Sequence, residues 1–229
     1  MYGSKVIAVN GNFDRALEMA REAAEKLNYA MVNSVNPYRL WGQRTGAWEI
    51  CEELGDAPDW HAIPVGNAGN ISAYWAGYKQ YLGMGKIVKA PRMMGFQAAG
   101  AAPLVTGEPC PNPETVATAI RIGNPVSATL ARDAVAESKG EFNSVTDDQI
   151  LHAQRELAAK GGIFAEPASC APLAGLIQLK EQGRLPSGIK VTMILTGNGL
   201  KDPDTAMGQV GRPVEIGDSL DELLAVMKS

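Results

Sequence analysis

Short apolar runs alternate along the chain with longer stretches whose apolar positions recur every three or four residues. The short runs predict β-strands, and the longer stretches predict amphipathic helices. The strand candidates are residues 5–9, 29–32, 61–65, 86–88, 93–97 and 191–195. This alternation predicts an α/β fold in three layers, with a mainly parallel twisted sheet and helices on both faces.

Three predicted helices have distinct local signals. The first carries apolar side chains on one face and is expected to pack on the sheet. These side chains are Phe13, Leu17, Ala20, Ala24 and Leu27. Thr146 and Gln149 form a capping box for a second helix, which glycines 161–162 end. Ser169 is predicted to cap a third helix over residues 171–181.

One turn, between strand 61–65 and a helical stretch at 71–81, carries the clearest chemical signal. It consists of Gly66, Asn67, Ala68, Gly69 and Asn70. Glycine lets a backbone approach an anion closely, and the free N–H groups of a helix's first turn attract it. The asparagine amides add donors. The turn predicts a phosphate site that is neither a Walker loop nor a dinucleotide fingerprint, and a plain turn without ligand is the alternative.

A second glycine turn, which begins at Thr196, follows the apolar run 191–195. In open parallel sheets, ligands bind beyond the carboxyl ends of the strands. We therefore expect Thr196 and the turn 66–70 to face one pocket.

A third polar group follows the run 29–32 and contains Asn33, Ser34 and Arg39. Arginine offers a planar fork to phosphate or carboxylate, and serine and asparagine supply neutral hydrogen bonds. The group predicts a second anion site. A helix-capping turn with a solvated arginine is the alternative for each residue taken singly.

Composition limits the partners of the chain. A net charge of −4 over 229 residues gives no electrostatic reason to expect nucleic acid or an anionic membrane surface. The three cysteines are far apart, and His61 and His152 lack metal-ligand spacing, so no disulfide framework or metal site is expected. No apolar run reaches the roughly 20 residues that a bilayer requires. A cytoplasmic location is the simplest prediction.

Several motifs occur together along most of the chain: Gly11, Asn12, Phe13 and Asp14; residues 32–37 with Arg39; and residues 64–70, 95–101, 166–169 and 195–197. As a set they resemble the threonine synthase family of pyridoxal-phosphate enzymes of fold type II. The resemblance implies pyridoxal 5'-phosphate as cofactor, with turn 66–70 on its phosphate and Thr196 on its pyridine nitrogen. It assigns Asn33, Ser34 and Arg39 to the phosphate of the substrate.

The reaction implied is conversion of O-phospho-L-homoserine and water to L-threonine and phosphate, in a homodimer. The family's Schiff-base lysine belongs to an N-terminal segment without a counterpart here, and family members have the equivalent of Lys201 in addition to it. No catalytic residue is therefore identified. The chain is interpreted as the C-terminal two thirds of such an enzyme, with residues 1–32 as a remnant of the smaller domain and 33–229 as the large cofactor-binding domain.

Asn198 stands where close relatives are expected to carry histidine, and asparagine suits a turn equally well. Two alternatives to a threonine synthase fragment remain open. One is a non-catalytic fragment that keeps the pocket for pyridoxal phosphate, for phosphate or for assembly. The other is a sibling fold type II enzyme such as threonine dehydratase or cysteine synthase.

Overall fold

In the computed structural model, which describes residues 3–11, 13–33 and 36–228, the strands form a four-stranded parallel sheet. The strands are β1 (Trp60–Pro64), β2 (Arg92–Ala98), β3 (Glu141–Val145) and β4 (Val191–Met193). Their order across the sheet is β3-β2-β1-β4. In this register Ala62 of β1 lies between Met94 of β2 and Met193 of β4.

Helices connect and flank the strands. They are α1 (Phe13–Leu27), α2 (Pro37–Gln43), α3 (Thr45–Leu54), α4 (Gly69–Gly83), α5 (Pro103–Thr106), α6 (Ala128–Glu137), α7 (Asp147–Gly161), α8 (Pro167–Glu181), α9 (Pro203–Met207) and α10 (Leu220–Met227). Short 3-10 turns occupy Ala99–Ala101, Thr118–Ile120 and Gly199–Lys201. None of the helices in the described ranges is long and apolar enough to cross a membrane.

Each face of the sheet is covered by its own group of helices. Helices α7 and α8 pack on one face through Ile150 and Ala171, which join a core with Phe96 of β2. Helices α3, α4 and α6 cover the other face, where Ile71 packs in a core with Ile63 of β1. The three-layer α/β fold predicted from the sequence is thereby confirmed.

Helix α8 approaches the sheet so closely that one position in it requires glycine. A Cβ atom on Gly175 would lie 2.0 Å from the Phe96 ring. Any side chain there would push α8 away from β2. Because Glu166, at the N-terminal cap of α8, lines the cavity described below, this contact helps to fix the position of the site.

Three of the strand predictions are confirmed and three are wrong. Runs 61–65, 93–97 and 191–195 form β1, β2 and β4, although β4 ends at Met193. Residues 5–9, 29–32 and 86–88 are not strands. Val6, Val32 and Val88 are 90%, 79% and 83% exposed, and although Ile87 is buried, none of these runs pairs with a strand of the sheet.

Strand β3 was not predicted, because its sequence is mostly polar. It lies at the edge of the sheet, and its first four residues are only half-buried. An edge strand buries less apolar surface than a central one, so its sequence lacks the apolar run that marks β1 and β2.

The first helix forms over the predicted residues but does not pack on the sheet. Leu17 is buried, whereas Phe13 and Leu27 are 39% and 60% exposed. Phe13 and Leu17 line surface clefts whose opposite walls come from the segment 113–126. Its apolar stripe therefore faces a loop and solvent, which corrects the expectation of a sheet contact.

The capping box of α7 is confirmed, and the cap assigned to Ser169 is wrong. The hydroxyl of Thr146 accepts the Gln149 N–H, and the Gln149 side chain accepts the Thr146 N–H at 2.8 Å. Helix α8 begins at Pro167, so Ser169 lies within its first turn. Proline at the first position of a helix has no N–H group to leave unpaired, and it starts the helix earlier than predicted.

Candidate functional site

The carboxyl ends of β1 and β4 open into a cavity of about 310 Å³. Loop 66–70 forms one wall, immediately after β1, and Thr196 follows β4 on another. Arg39 and Gln43 of α2, Glu166 before α8 and Lys201 complete the polar lining. The structure thus brings the two predicted turns to one cavity.

Loop 66–70 is tied to the fold by its asparagine side chains. The Asn70 Nδ2 donates to the Pro64 carbonyl at 2.8 Å, and the Asn70 Oδ1 accepts the Ile71 N–H at 2.7 Å. The Asn67 Oδ1 accepts the N–H of Val126 at 2.7 Å. The amide oxygens therefore hold the loop in place instead of facing a ligand.

Several donors of the same loop remain without partners. The N–H groups of Ala68, Gly69 and Asn70 form no hydrogen bond with any described residue. The Asn67 Nδ2 is buried and has no partner in the described part of the chain. Ala68, at φ 66°, caps α4, whose N-terminus carries partial positive charge. This set of donors fits a phosphate group.

Both glycines of the loop lie close to other parts of the chain. A Cβ on Gly66 would be 3.0 Å from the Ile120 Cα, and a Cβ on Gly69 would be 3.2 Å from the Leu40 Cδ2. The loop is therefore held between α2 and the turn Thr118–Ile120, with little room for side chains in place of the glycines.

The turn after β4 is fixed by hydrogen bonds to the start of α8. The Glu166 N–H donates to the Gly197 carbonyl at 3.1 Å, and the Gly197 N–H donates to the Ser169 Oγ at 2.8 Å. The Ser169 Oγ also lies 2.9 Å from the Thr196 Oγ1. Asn198 accepts the Leu200 N–H at 2.9 Å, a contact that shapes the turn.

Charged groups of both signs line the cavity. Arg39 and Lys201 are exposed cations, and Glu166 is a carboxylate that is only 5% exposed. No ion pair joins the Arg39 guanidinium to another residue in the ranges described. The positive charge of Arg39 is therefore available to a ligand anion.

The structure does not place the other two residues assigned to a substrate phosphate, Asn33 and Ser34, in the cavity. Asn33 does not belong to the lining of the cavity, although Asn36, three residues later, caps α2 by accepting the Tyr38 N–H. Ser34 lies outside the described residues, as do Asn12 and Val35 of the motifs. The substrate-binding roles of Asn33 and Ser34 stay predictions.

Sequence reasoning did not identify Glu166, Ser169 or the wall at 119–122 as part of the site. Pro167 was the available signal for the first two, because proline favours the first position of a helix. A helix that begins at Pro167 has Glu166 at its N-terminal cap and Ser169 within its first turn. No local pattern marks the wall at 119–122, since its place depends on the fold.

Buried polar groups outside the lining of the cavity have a structural role. The His61 Nδ1 lies 2.9 Å from the Tyr78 hydroxyl and 3.4 Å from the Thr192 Oγ1, which links β1 to α4 and β4. Burial lowers the pKa of His61 to about 3, so its ring is neutral. Burial also raises the pKa of the Cys51 and Cys170 thiols to about 11 and about 12, which makes them poor nucleophiles.

With this geometry established, comparison with known proteins identifies the class. The family model for "Pyridoxal-phosphate dependent enzyme" matches residues 1–197, and the chain belongs to this family. Solved structures show the same fold. Threonine synthase from Escherichia coli has a TM-score of 0.71 at 18% identity, covering 94% of this chain and 52% of that one. Threonine deaminase isoform 2 from Solanum lycopersicum has a TM-score of 0.71 at 21% identity, covering 99% and 56%.

Curated relatives are more specific. Threonine synthase of Synechocystis sp. is 57% identical over 95% of this chain and 56% of its own length. Threonine synthase of Halalkalibacterium halodurans is 55% identical over 92% of this chain and 59% of its own length. Threonine synthase of Methanocaldococcus jannaschii is 48% identical over 99% of this chain and 58% of its own length. The chain therefore spans less than three fifths of the length of these relatives.

Proposed function

We propose that this chain is the cofactor-binding part of a threonine synthase, which converts O-phospho-L-homoserine and water to L-threonine and phosphate. The observation that carries the proposal is the cavity in which loop 66–70 presents unpaired donors and Thr196 presents a hydroxyl. The relatives named threonine synthase, at 48% to 57% identity, support the substrate assignment.

Different residues of the cavity bind different parts of the cofactor. The free N–H groups of loop 66–70 and the Asn67 amide bind the phosphate of pyridoxal 5'-phosphate, and Thr196 faces its pyridine nitrogen. When bound, the cofactor withdraws electrons from the substrate through its pyridine ring. A hydroxyl partner is neutral and does not enforce a protonated ring, so the other residues must contribute mainly by positioning the substrate.

Arg39 selects the substrate by its phosphate, with Asn33 and Ser34 as further hydrogen-bonding groups. A guanidinium binds two phosphate oxygens at once, and it stabilises the negative charge that the phosphate keeps as it leaves. The same residue thus serves both recognition and departure of the leaving group.

A cytoplasmic homodimer is the setting that we propose for the enzyme. The free thiols of Cys51, Cys110 and Cys170 suit a reducing compartment, and homodimers are what the family resemblance implies. Within the enzyme, residues 1–32 belong to the smaller domain and residues 33–229 to the large cofactor-binding domain. Sedimentation velocity of the purified protein tests the dimer.

The function is tested by binding and by complementation. Purified chain is titrated with pyridoxal 5'-phosphate and followed by absorbance, and we expect saturable binding of one equivalent. The part of the Synechocystis enzyme that this chain does not match is then added, with O-phospho-L-homoserine as substrate. We expect equal amounts of threonine and phosphate.

Other outcomes distinguish the alternatives. Failure to bind pyridoxal 5'-phosphate would contradict the proposal outright. Binding without turnover in the complemented mixture would favour a non-catalytic fragment. Formation of 2-oxobutanoate from threonine, with no phosphate released from O-phospho-L-homoserine, would instead indicate a threonine dehydratase.

A further inference from the structure

The hydroxyl of Ser169 occupies a central place in the hydrogen bonds behind Thr196. Ser169 is fully buried in the first turn of α8. Its Oγ lies 2.8 Å from the Gly197 nitrogen, 2.9 Å from the Thr196 Oγ1 and 3.3 Å from the Gly197 oxygen. These three groups belong to the turn that forms one wall of the cavity.

The direction of these bonds follows from counting protons. The Ser169 oxygen accepts the Gly197 N–H, so its own single proton goes either to the Thr196 Oγ1 or to the Gly197 oxygen. The Gly197 oxygen already accepts the Glu166 N–H at 3.1 Å and lies further from Ser169. The bond to Thr196 at 2.9 Å is therefore favoured.

A Thr196 oxygen that accepts from Ser169 keeps its own proton for another partner. Thr196 is exposed to the cavity, and no other side chain among the described residues bonds to its hydroxyl. Without Ser169 the hydroxyl would rotate freely and present a proton or a lone pair with little preference. With Ser169 in place, the proton of Thr196 is left for an acceptor in the cavity.

We propose that Ser169 is a positioning residue that makes Thr196 a hydrogen-bond donor to a neutral, unprotonated ring nitrogen. This inference rests on the proposed function, in which that nitrogen belongs to pyridoxal 5'-phosphate. It extends the proposed function because it makes the cavity selective for one protonation state of the ring. A protonated ring nitrogen needs an acceptor, and the bond from Ser169 disfavours that role for Thr196.

The test uses pyridoxal 5'-phosphate labelled with ¹⁵N in its ring, bound to the purified chain. The ¹⁵N chemical shift distinguishes a free, a hydrogen-bonded and a protonated nitrogen, and its pH titration gives the ring pKa. We expect Thr196→Val to abolish the hydrogen-bonded signal. We expect Ser169→Ala to move the shift at least halfway to that of Thr196→Val, to raise the ring pKa and to weaken binding by up to about tenfold.

A matched control separates positioning from stability. Ser138 is also buried, accepts the Met93 N–H at 3.1 Å and donates to the Val135 carbonyl at 3.1 Å, away from the cavity. Ser138→Ala removes the same kinds of bond and is expected to leave the ¹⁵N signal unchanged. Ser169→Cys, with a similar volume and a weak donor, serves if the alanine variant does not fold, and we expect an intermediate shift.

The outcomes separate the inference from the function on which it rests. If the unaltered chain binds no labelled cofactor, the proposed function is contradicted and the inference falls with it. If the unaltered chain gives a hydrogen-bonded nitrogen that the Ser169 variants leave unchanged, the function stands and the role of Ser169 is refuted. A change in Ser138→Ala as large as that in Ser169→Ala would also refute it.

Discussion

Loop 66–70 and the turn at residues 196–199 follow neighbouring parallel strands and face the same cavity, yet their hydrogen bonds differ. In the first, the N–H groups of Ala68, Gly69 and Asn70 have no partner among the residues described. In the second, the Gly197 N–H donates to Ser169 of α8, and the Gly197 carbonyl accepts the N–H of Glu166, just before α8. One turn offers many backbone donors, and the other offers a single oriented hydroxyl.

This difference indicates which ligand group each turn recognises. Unpaired N–H groups at a helix N-terminus suit a phosphate, whose charge is spread over several oxygens. A single hydroxyl with a fixed proton suits a single acceptor atom. Substitutions in the first turn should therefore weaken the binding of any phosphate-bearing ligand. Substitutions in the second turn should affect only the hydrogen bond to the pyridine ring of the cofactor.

The largest expected effect comes from placing a negative charge in the first turn. Asn67→Asp keeps an oxygen for the Val126 N–H and replaces the unpaired Nδ2 with a carboxylate oxygen. Repulsion of a bound phosphate should cost about 3 kcal/mol, or about a hundredfold in affinity for pyridoxal 5'-phosphate. Absorbance titration measures the loss. Asn67→Ala, which adds no charge, should lose much less, and equal losses in both variants would contradict the anion site.

A bulky side chain in the same turn should have the next largest effect. A Cβ on Gly69 would already lie 3.2 Å from the Leu40 Cδ2, so Gly69→Val must displace the loop. We expect a loss of about 2 kcal/mol, or about thirtyfold in affinity for the cofactor. Gly83→Val, at the open other end of α4, is the control, because a Cβ there has no neighbour within 4 Å. Comparable losses in both would show that only helix propensity had changed.

Arg39 tests whether the cavity holds a second phosphate apart from these turns. Arg39→Ala should weaken the binding of O-phospho-L-homoserine by about 1.5 kcal/mol, or about tenfold in affinity, because a charge-assisted hydrogen bond is lost. Affinity for pyridoxal 5'-phosphate should stay within about twofold. Calorimetric titration of each ligand measures both values. Arg44→Ala, which removes the same charge from a residue outside this cavity, is the control, and equal losses of both ligands in Arg39→Ala would contradict the division.

The sequence predicted the first turn well and the second only in part. Loop 66–70 was predictable because its glycines lie between a buried apolar run and a helix, which is a local pattern. The contact of Ser169 with Thr196 was not, since 27 residues separate them and only the parallel sheet brings them together. Strand β3 escaped prediction because an edge strand can be polar. Residues 5–9 and 29–32 show that strand propensity alone does not make a strand without a partner.

The smallest expected effect comes from a group that supports both turns. His61 joins β1 to β4 through Thr192, and its Nε2 has no partner in the described chain. Its pKa is lowered to about 3 by burial, against an ordinary value of 6.5, so the unfolded chain binds the proton more readily. The contribution of neutral His61 to the free energy of unfolding is therefore fully present above pH 6.5 and is lost as the pH falls toward 3.

Between pH 6.5 and 5.5, this linkage should lower the free energy of unfolding by about 1 kcal/mol. Urea denaturation at both pH values measures the change, and His61→Gln, which cannot titrate there, isolates it from the carboxylates. We expect the variant to lose about 1 kcal/mol less than the unaltered chain. An equal loss in both proteins would show that His61 does not account for the pH dependence.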